Sequence, residues 1–437
     1  MKRSLKHKNV SYVSESCLCH ACGACAVCCP RHAINYRESV GGYILPKIDQ
    51  KKCSGCGLCY QVCPSLKTGR TLTTLIPHDP FVGEILSCEA GKATDEVIFK
   101  NGQSGGVLTA LLTHLFVSKQ IEAALVVAMP EGTPPRAEAI IATSPSDLIA
   151  AQKSKYSSVP ILQALRDLGR FKGRVAVVGT ACRFHGLHNL LDTMPGLLHQ
   201  LPIKLGLICD RVMTSAAIDF LGAQATTSPI NQLIWRDKQS PCYPGNPVIY
   251  SSQGDKILLQ AVQRMAIKDF FTPVRCRLCF DKLNVFADVV FGDPHGIKDI
   301  DRVGGETLVI VRTEIGRKIV NSVKDDGAVI LHAVPKAAAV EGQGIAQKRI
   351  GWGNFLKSWQ EIGGISPNFP FSPDIIHGSS LRYRKLLEQG LMLDKFNNRN
   401  EVLTAAKAWL FRQKIKSIAF RLLRKIKFLM REENNVR

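Results

Sequence analysis

Two runs of cysteine near the amino terminus have the residue types and spacing that hold iron–sulfur clusters. In each run three cysteines stand at intervals of three residues, and a fourth follows four residues later with proline behind it. Three thiolates in one glycine-containing turn can bind three irons of one cubane, while the fourth points towards another. The pattern therefore predicts two [4Fe-4S] clusters with crossed ligand sets: Cys19, Cys22, Cys25 with Cys63, and Cys53, Cys56, Cys59 with Cys29.

This spacing is typical of bacterial two-cluster ferredoxins, and it predicts electron transfer. Cys17 and Cys28 do not fit it; Cys28 could exchange with Cys29, although Pro30 favours Cys29. Structural zinc is the main alternative, because repeated Cys-x-x-Cys also binds zinc, but zinc needs two pairs per ion rather than two triplets. A disulfide framework is disfavoured, because the cysteines cluster in a short segment of a long chain without an apolar secretion signal.

Four later cysteines form a second group of candidate ligands. Cys276 and Cys279 make a Cys-x-x-Cys pair, and Cys182 and Cys209 each follow a predicted strand. Loops converge at one edge of an α/β sheet, so the four thiolates could meet there and hold a third [4Fe-4S] cluster. The alternative is that Cys182 and Cys209 are buried apolar thiols and that the pair is a zinc or redox motif. Two cysteines without a partner pattern are expected to be structural: Cys88 and Cys242.

Three short motifs have the character of cofactor-binding loops. Residues 103–106 open a predicted helix with a hydroxyl and two glycines, where backbone N–H groups favour phosphate. Residues 153–156 add two lysines and a tyrosine ahead of another predicted helix, and residues 291–296 place Asp293 between glycines after a strand. Each motif read separately is equally an ordinary turn.

An α/β framework is expected to position these residues. Short continuous apolar runs predict buried strands, and helix-like segments lie between them. The predicted strands cover residues 123–129, 174–179, 203–208, 287–291 and 307–312, and the predicted helices cover residues 107–117 and 158–168.

The 437 residues divide into three predicted regions. Residues 1–70 form the ferredoxin module, residues 71–80 a linker, and residues 81–345 the α/β domain. Residues 346–437 form a basic helical extension, in which residues 409–430 have the apolar periodicity of an amphipathic helix with a cationic face. Packing on its own domain, contact with a membrane surface and docking of a partner are the alternatives for this helix.

The net charge of +21 favours an anionic partner. Residues 381–437 alone contain 15 Lys and Arg against 5 Asp and Glu. No recognisable nucleic-acid reading motif accompanies them, so nucleic acid is not the expected partner. No secretion signal and no apolar run of about 20 residues is visible, and sixteen cysteines need a reducing compartment. The expected location is the cytoplasm, with peripheral contact at the inner face of the membrane as an alternative.

Taken together, the motifs resemble the family of coenzyme F420 hydrogenase/dehydrogenase beta subunits, in the form with an amino-terminal two-cluster ferredoxin module. The resemblance covers about residues 15–345 and rests on the order and spacing of the motifs. After the cysteine runs these are Ser104-Gly105-Gly106, Ser154-Lys155-Tyr156, Gly179-Thr180-Ala181-Cys182, Cys276-x-x-Cys279-x-Asp281, Ala287-Asp288 and Gly292-Asp293. Ala181, Asp210-Arg211 and Pro294-His295 depart from the family pattern around the expected flavin face.

The resemblance implies FAD in the α/β domain, with a [4Fe-4S] cluster beside it on Cys182, Cys209, Cys276 and Cys279. It also makes the short motifs candidates for binding FAD or substrate: Ser104, Gly105, Gly106, Ser154, Lys155, Tyr156, Gly179, Thr180 and Asp293. Lys155 and His185 are the candidate catalytic residues, with Arg183 on the same substrate face. The alternative for His185 is a structural loop histidine.

The expected function is that of an iron–sulfur flavoprotein oxidoreductase. It would pass electrons between an anionic hydride carrier or substrate of the F420 deazaflavin type, FAD, the [4Fe-4S] clusters and a ferredoxin-like redox partner. The alternative is an electron-transfer subunit of a larger reductase complex, linked to glycan or pigment modification, without a substrate site of its own.

Overall fold

The strands and helices below come from a computed structural model that describes residues 9–67, 69–75, 77–170, 173–371 and 381–416. The strands are β1 (Ile34–Glu38), β2 (Ile44–Ile48), β3 (Ser87–Ala93), β4 (Ala123–Ala128), β5 (Glu138–Ala142), β6 (Val175–Thr180), β7 (Ile203–Leu207), β8 (Ile230–Asp237), β9 (Asn246–Ser251), β10 (Lys256–Leu258), β11 (Val289–Gly292), β12 (Thr307–Val311) and β13 (Val329–Ala333).

The helices are α1 (Ser11–Glu15), α2 (Ala24–Val27), α3 (Leu58–Gln61), α4 (Arg70–Leu75), α5 (Glu96–Asn101), α6 (Val107–Val117), α7 (Pro145–Ala150), α8 (Ala181–Thr193), α9 (Ala216–Ala225), α10 (Ala261–Phe271), α11 (Val274–Arg277), α12 (Glu314–Asp325), α13 (Lys336–Gly342), α14 (Ile345–Glu361) and α15 (Leu381–Met392). Short 3-10 helices cover Ile161–Arg170, Pro195–Gln200 and Leu393–Lys395. Residues 399–416 are also helical.

An eight-stranded mixed sheet is the framework of the α/β region, in the order β13-β3-β12-β11-β7-β6-β4-β5. Its four central strands, β4, β6, β7 and β11, are parallel, and the outer pairings are antiparallel. The central strands are apolar and almost wholly buried, as expected for strands covered on both faces. Parallel direction places their carboxyl ends at one edge, where Cys182, Cys209 and Asp293 follow β6, β7 and β11.

The predicted strands and α6 lie close to the observed elements. The sequence also predicts a helical segment over residues 158–168, where the chain forms a 3-10 helix over Ile161–Arg170. The backbone N–H of Leu162 bonds to the carbonyl of Cys22, and the Arg166 side chain bonds to the carbonyls of Ala26 and Ile34. This segment is therefore shaped by its contact with the first cysteine turn.

The ferredoxin module packs tightly on the α/β region at two glycines. Gly23 has a φ of +99°, and a Cβ there would lie 2.5 Å from the backbone nitrogen of Gln163. A Cβ on Gly186 of α8 would lie 2.8 Å from the Sγ of Cys22. Both distances are too short for a side chain, so the absence of one lets the cysteine turn approach the helix.

The carboxyl-terminal segments pack on both other regions. Trp352 of α14 packs edge-on against Phe81 and Phe369, and its Nε1 donates to the carbonyl of Leu278 at 3.0 Å. Tyr43 of the ferredoxin module donates to the carbonyl of Gly390 at 2.8 Å. The second half of the predicted helix over residues 409–430 lies outside the described residues. No described helix is long and apolar enough to cross a membrane.

Truncating Trp352 should show that α14 belongs to the core. Trp352→Ala removes a side chain that is 4 % exposed, and we expect a loss of about 3–5 kcal/mol in the free energy of unfolding. Ile350→Ala is the matched control, because Ile350 lies on the same helix and is 53 % exposed. Anaerobic denaturant titrations measure both. Equal losses in the two variants would contradict the packing described.

Candidate functional site

Four cysteines of the α/β region, together with Cys19 of the ferredoxin module, line one cavity at the carboxyl edge of the sheet. Cys182 lies in the first turn of α8, Cys209 follows β7, and Cys276 and Cys279 lie in and just after α11. Thr180 at the end of β6 also lines the cavity. These four cysteines are up to 97 residues apart in sequence, and the tertiary structure places all of them at this one cavity.

Four thiols around a cavity can be the ligands of a single zinc ion or of a [4Fe-4S] cluster. Among the residues that the structure describes, no group of three or more His, Cys, Asp or Glu side chains is placed to hold a single metal ion. Around zinc the sulfurs converge on one centre, whereas around a cubane each sulfur binds a different iron and the sulfurs stay farther apart. Four cysteines around a cavity therefore fit a [4Fe-4S] cluster.

Two buried arginines border this cavity. Arg183 is 6 % exposed, and its Nη1 donates to the Sγ of Cys182 at 2.8 Å. Arg275 is 4 % exposed, and its Nε donates to the Nε2 of His20 at 2.6 Å. Burial raises the pKa of the Cys209 thiol well above its usual range, so a thiolate there needs positive charge nearby. The two guanidinium groups supply this positive charge, together with any bound iron.

A second cavity is lined by Cys19, Cys22, Cys25 and Cys63, which is the first set predicted from the cysteine spacing. The Sγ of Cys25 lies 3.2 Å from the hydroxyl of Tyr36. Burial raises the pKa of Cys63 to about 12, so this thiol too needs a metal to hold its thiolate. Cys19 and its neighbour His20 line both cavities.

The second predicted set lies nearer the surface. Burial raises the pKa of the Cys59 thiol, and the sulfurs of Cys56, Cys29 and Cys53 lie near enough to raise it further. Cys56 is exposed and Cys59 is buried. Cys28 lies beside this group as a fifth thiol.

Hydrogen bonding distinguishes Cys28 from Cys29. The Sγ of Cys29 accepts the backbone N–H of Ala33 at 3.3 Å, as the Sγ of Cys19 accepts that of Ala21. A sulfur that accepts N–H bonds is suited to be a thiolate ligand. The Sγ of Cys28 instead lies 3.5 Å from the carbonyl oxygen of Cys25.

Replacing each of these two cysteines tests the assignment. We expect Cys29→Ser to lose one cluster, about four irons per chain, because no other thiol has the same position. Cys28→Ser should retain the full iron content and serves as the matched control. Iron and sulfide analysis with EPR of the reduced protein measures both. Loss of a cluster in Cys28→Ser with retention in Cys29→Ser would reverse the assignment.

Two of the predicted cofactor loops are in direct contact. The backbone N–H of Ser154 donates to the side chain of Gln103 at 3.0 Å. Lys238 donates to the carbonyl of Ser104 at 2.7 Å and lies 3.6 Å from the centre of the Phe99 ring. Gly105 has a packing role, since a Cβ there would lie 2.1 Å from the carbonyl oxygen of Gly91 in β3. Gly106, with a φ of +77°, turns the chain into α6.

A second pair of predicted residues is joined through an arginine. Arg236 of β8 donates to Asp293 at 2.5 Å and to the hydroxyl of Tyr156 at 3.5 Å. Arg264 lies over the Tyr156 ring at 5.3 Å. Among the described residues, the Nη2 of Arg236 and the Nε of Arg264 are buried without a hydrogen-bond partner. Buried unpaired guanidinium nitrogens are costly, so this region fits an anionic group of a ligand.

The two candidate catalytic residues have local partners. The Nζ of Lys155 donates to the backbone carbonyls of Ala151, Gln152 and Lys153, and burial lowers its pKa to about 7. His185 is buried and bonds through Nε2 to Asp281 at 2.9 Å, with aromatic neighbours on its faces. Asp281 lines the cavity of Cys182, Cys209, Cys276 and Cys279, which we call the inner cavity, whereas His185 does not line it.

The structure adds basic residues that the sequence reading missed. Arg236, Lys238 and Arg264 come from β8, from the residue after it and from α10. They lie in a region without a recognised motif, and residues 230–235 do not show the strict apolar–polar alternation that would have predicted a strand there. The contact with Tyr156 and Asp293 depends on the tertiary structure.

The fold and the cysteine-lined cavities define an iron–sulfur electron-transfer protein with a large mixed α/β sheet. Family comparisons agree. A 4Fe-4S dicluster domain matches residues 18–66, and the N-terminal and C-terminal models of the coenzyme F420 hydrogenase/dehydrogenase beta subunit match residues 88–166 and 172–337. The chain belongs to this family of oxidoreductases, and its amino-terminal domain binds [4Fe-4S] clusters.

Its relatives include proteins named for F420. A subunit of the F420H2 dehydrogenase from Methanosarcina mazei is 25 % identical over 352 residues, covering 78 % of this chain and 92 % of the relative. Coenzyme F420 hydrogenase subunit beta from Methanosarcina barkeri is 24 % identical, covering 57 % and 82 %. Coenzyme F420-dependent sulfite reductase from Methanocaldococcus jannaschii is 26 % identical over 340 residues, covering 74 % of this chain and 49 % of that protein.

Proposed function

We propose that this protein is an iron–sulfur flavoprotein that exchanges hydride with an anionic carrier of the F420 type. Electrons then pass singly through three [4Fe-4S] clusters to or from a ferredoxin-like partner. The observation that carries the proposal is the inner cavity, where four cysteines meet at the carboxyl edge of the sheet beside the region of Tyr156, Arg236 and Asp293. The relatives named for F420 support the choice of carrier.

FAD, when bound, supplies the conversion between a two-electron hydride and single electrons. The chain's own residues would hold its anionic part. Lys238 and the Ser104 loop offer positive charge and backbone N–H groups, and Arg236 and Arg264 offer donors that lack partners among the described residues. Gly179 and Thr180 end β6, and Thr180 lines the cavity two residues before Cys182.

We assign Lys155 and His185 to positioning in this scheme. Lys155 fixes the start of the loop of residues 153–156 by bonding the carbonyls of residues 151–153, so that Ser154 and Tyr156 face the basic region. His185 holds Asp281, whose other contacts include the backbone N–H of Val285 at 3.1 Å. Asp281 in turn fixes the loop that carries Cys279.

Cofactor analysis of the native protein tests the proposal. Anaerobically purified protein should contain about twelve irons and one FAD per chain, and reduced F420 should bleach the flavin without a partner protein. Cys279→Ser should lower the count to about eight irons, while Cys242→Ser, at an exposed position away from the cavity, should keep it. Eight irons in the native protein would remove the inner cluster from the proposal.

Arg183 should tune the inner cluster through its bond to Cys182. Removing its charge with Arg183→Gln destabilises the more negative reduced state, so we expect about a tenfold lower reduced-to-oxidised ratio at a fixed potential, equal to about 59 mV for one electron. Arg183→Lys should recover part of the shift. Arg174→Gln, at the opposite end of β6 and half-exposed, is the control. EPR-monitored redox titration measures the potential, and an unchanged value in Arg183→Gln would contradict the role.

A second candidate function is an electron-transfer subunit without its own hydride carrier. The two F420 relatives named as subunits favour it. Failure of reduced F420 to reduce any bound flavin, in protein that contains its clusters and transfers electrons to a ferredoxin, would support this candidate over the first.

A further inference from the structure

The two ferredoxin cysteine sets have different surroundings. The first set, Cys19, Cys22, Cys25 and Cys63, lies inward, with three of its cysteines buried. The second set, Cys29, Cys53, Cys56 and Cys59, lies outward, and Cys56 is exposed. The second set is therefore the end of the electron route that lies nearer the protein surface. The inference below rests on the clusters of the proposed function.

The inward set adjoins the inner cavity through shared residues. Cys19 and His20 line both cavities, and Arg275 joins His20 to the loop of Cys276 and Cys279. Cys182 lies in the first turn of α8, and a Cβ on Gly186 of the same helix would lie 2.8 Å from the Sγ of Cys22 in the first set. The first set is therefore the neighbour of the inner site.

The outward set is bordered by exposed cations. Arg31 follows Cys29 by two residues, Lys51 and Lys52 directly precede Cys53, and all three are exposed. We call these three residues the cationic rim. The β1–β2 hairpin adds exposed Arg37 and Lys47, and Lys47 pairs across the strands with Asn35, two residues before Arg37.

Residues 31–52 contain two carboxylates. Asp49, between β2 and the cationic rim, accepts the backbone N–H of Lys51 at 3.0 Å, and Glu38 forms ion pairs with Arg136 and Arg399. The basic residues of this surface outnumber these carboxylates, so the surface around the outward cluster is positive, and positive patches attract acidic proteins. An exposed cysteine ligand also brings the cluster within reach of a docked redox centre.

We infer that the second cysteine set is the terminal at which electrons enter or leave this protein, and that an acidic redox protein docks there on the cationic rim. The step is a single electron transfer. One electron leaves the partner's reduced cluster, which becomes oxidised, and reduces the cluster on Cys29, Cys53, Cys56 and Cys59. No bond forms or breaks, and the electron then passes to the first set and through the Cys19–His20 region to the inner site.

Electron exchange with a defined probe tests this inference. The oxidised full-length protein is mixed anaerobically with a reduced acidic plant-type [2Fe-2S] ferredoxin, whose low reduction potential makes it a strong electron donor. Stopped-flow absorbance gives the second-order rate across a range of salt concentrations. We expect the wild-type rate to fall steeply as salt screens the attraction.

Charge reversal on the cationic rim should remove this dependence. Lys51→Glu combined with Lys52→Glu should slow exchange at low salt by at least about tenfold and flatten or invert the salt dependence. The matched control combines Lys318→Glu with Lys407→Glu, which reverses two exposed lysines on α12 and on the helix of residues 399–416. The control has the same net charge and should stay within about twofold of wild type.

The outcomes separate this inference from the proposed function. Iron content and EPR spectra are measured on every variant, so a missing cluster is recognised as such. A double variant that contains its clusters and exchanges electrons at the wild-type rate would overturn the docking site, as would an equal loss in the control. Salt-dependent binding of the cationic rim to anionic lipid vesicles, without an effect on ferredoxin exchange, would also overturn it. A native protein without clusters would instead refute the proposed function itself.

Discussion

The first cysteine turn packs directly against the α/β region, and the electron route depends on this close contact. Gly23 faces the backbone of residues 160–163, and Gly186 of α8 faces the Sγ of Cys22 at a distance that admits no side chain. The same helix begins at Ala181, directly ahead of Cys182. One rigid element therefore holds a ligand of the inner site and the wall of the first ferredoxin site, so the distance between the two cavities is fixed by packing.

Burying so many sulfurs would be unfavourable without compensating charge. Thiolates and the clusters they hold are negative, and a low-dielectric interior penalises unpaired charge. Arg183 and Arg275 supply positive charge between the two cavities. Each lies near cysteine sulfurs of the inner site and of the first ferredoxin set. Because a guanidinium stays charged at any relevant pH, this compensation does not depend on the protonation of a histidine. His20 accepts the Arg275 bond at Nε2 and is thereby held neutral in this position.

The described carboxyl-terminal segments pack against both the ferredoxin module and the α/β region. Trp352 joins the aromatic group around Phe81 and bonds to the loop between Cys276 and Cys279, and Asp394 accepts bonds from Ser39 and Gly41 of the ferredoxin hairpin. Arg399 adds ion pairs to Glu38 and Asp219, which connect the hairpin with α9. Residues of the ferredoxin module, the α/β region and the carboxyl-terminal segments therefore together hold the cysteine-bearing loops in place.

The amino-acid sequence by itself predicts the ferredoxin cysteine sets, because the spacing within two short turns limits which thiols can reach one cluster. It also predicted the buried strands, since a strand covered on both faces must be apolar throughout, as β6 and β12 are. Tertiary structure decided the rest. Arg236 and Arg264 meet Tyr156 only after distant elements pack, His185 turns to Asp281 rather than to the cavity, and Cys19 with His20 borders two cavities at once. Such contacts join residues far apart in the chain, and no local periodicity or spacing encodes them.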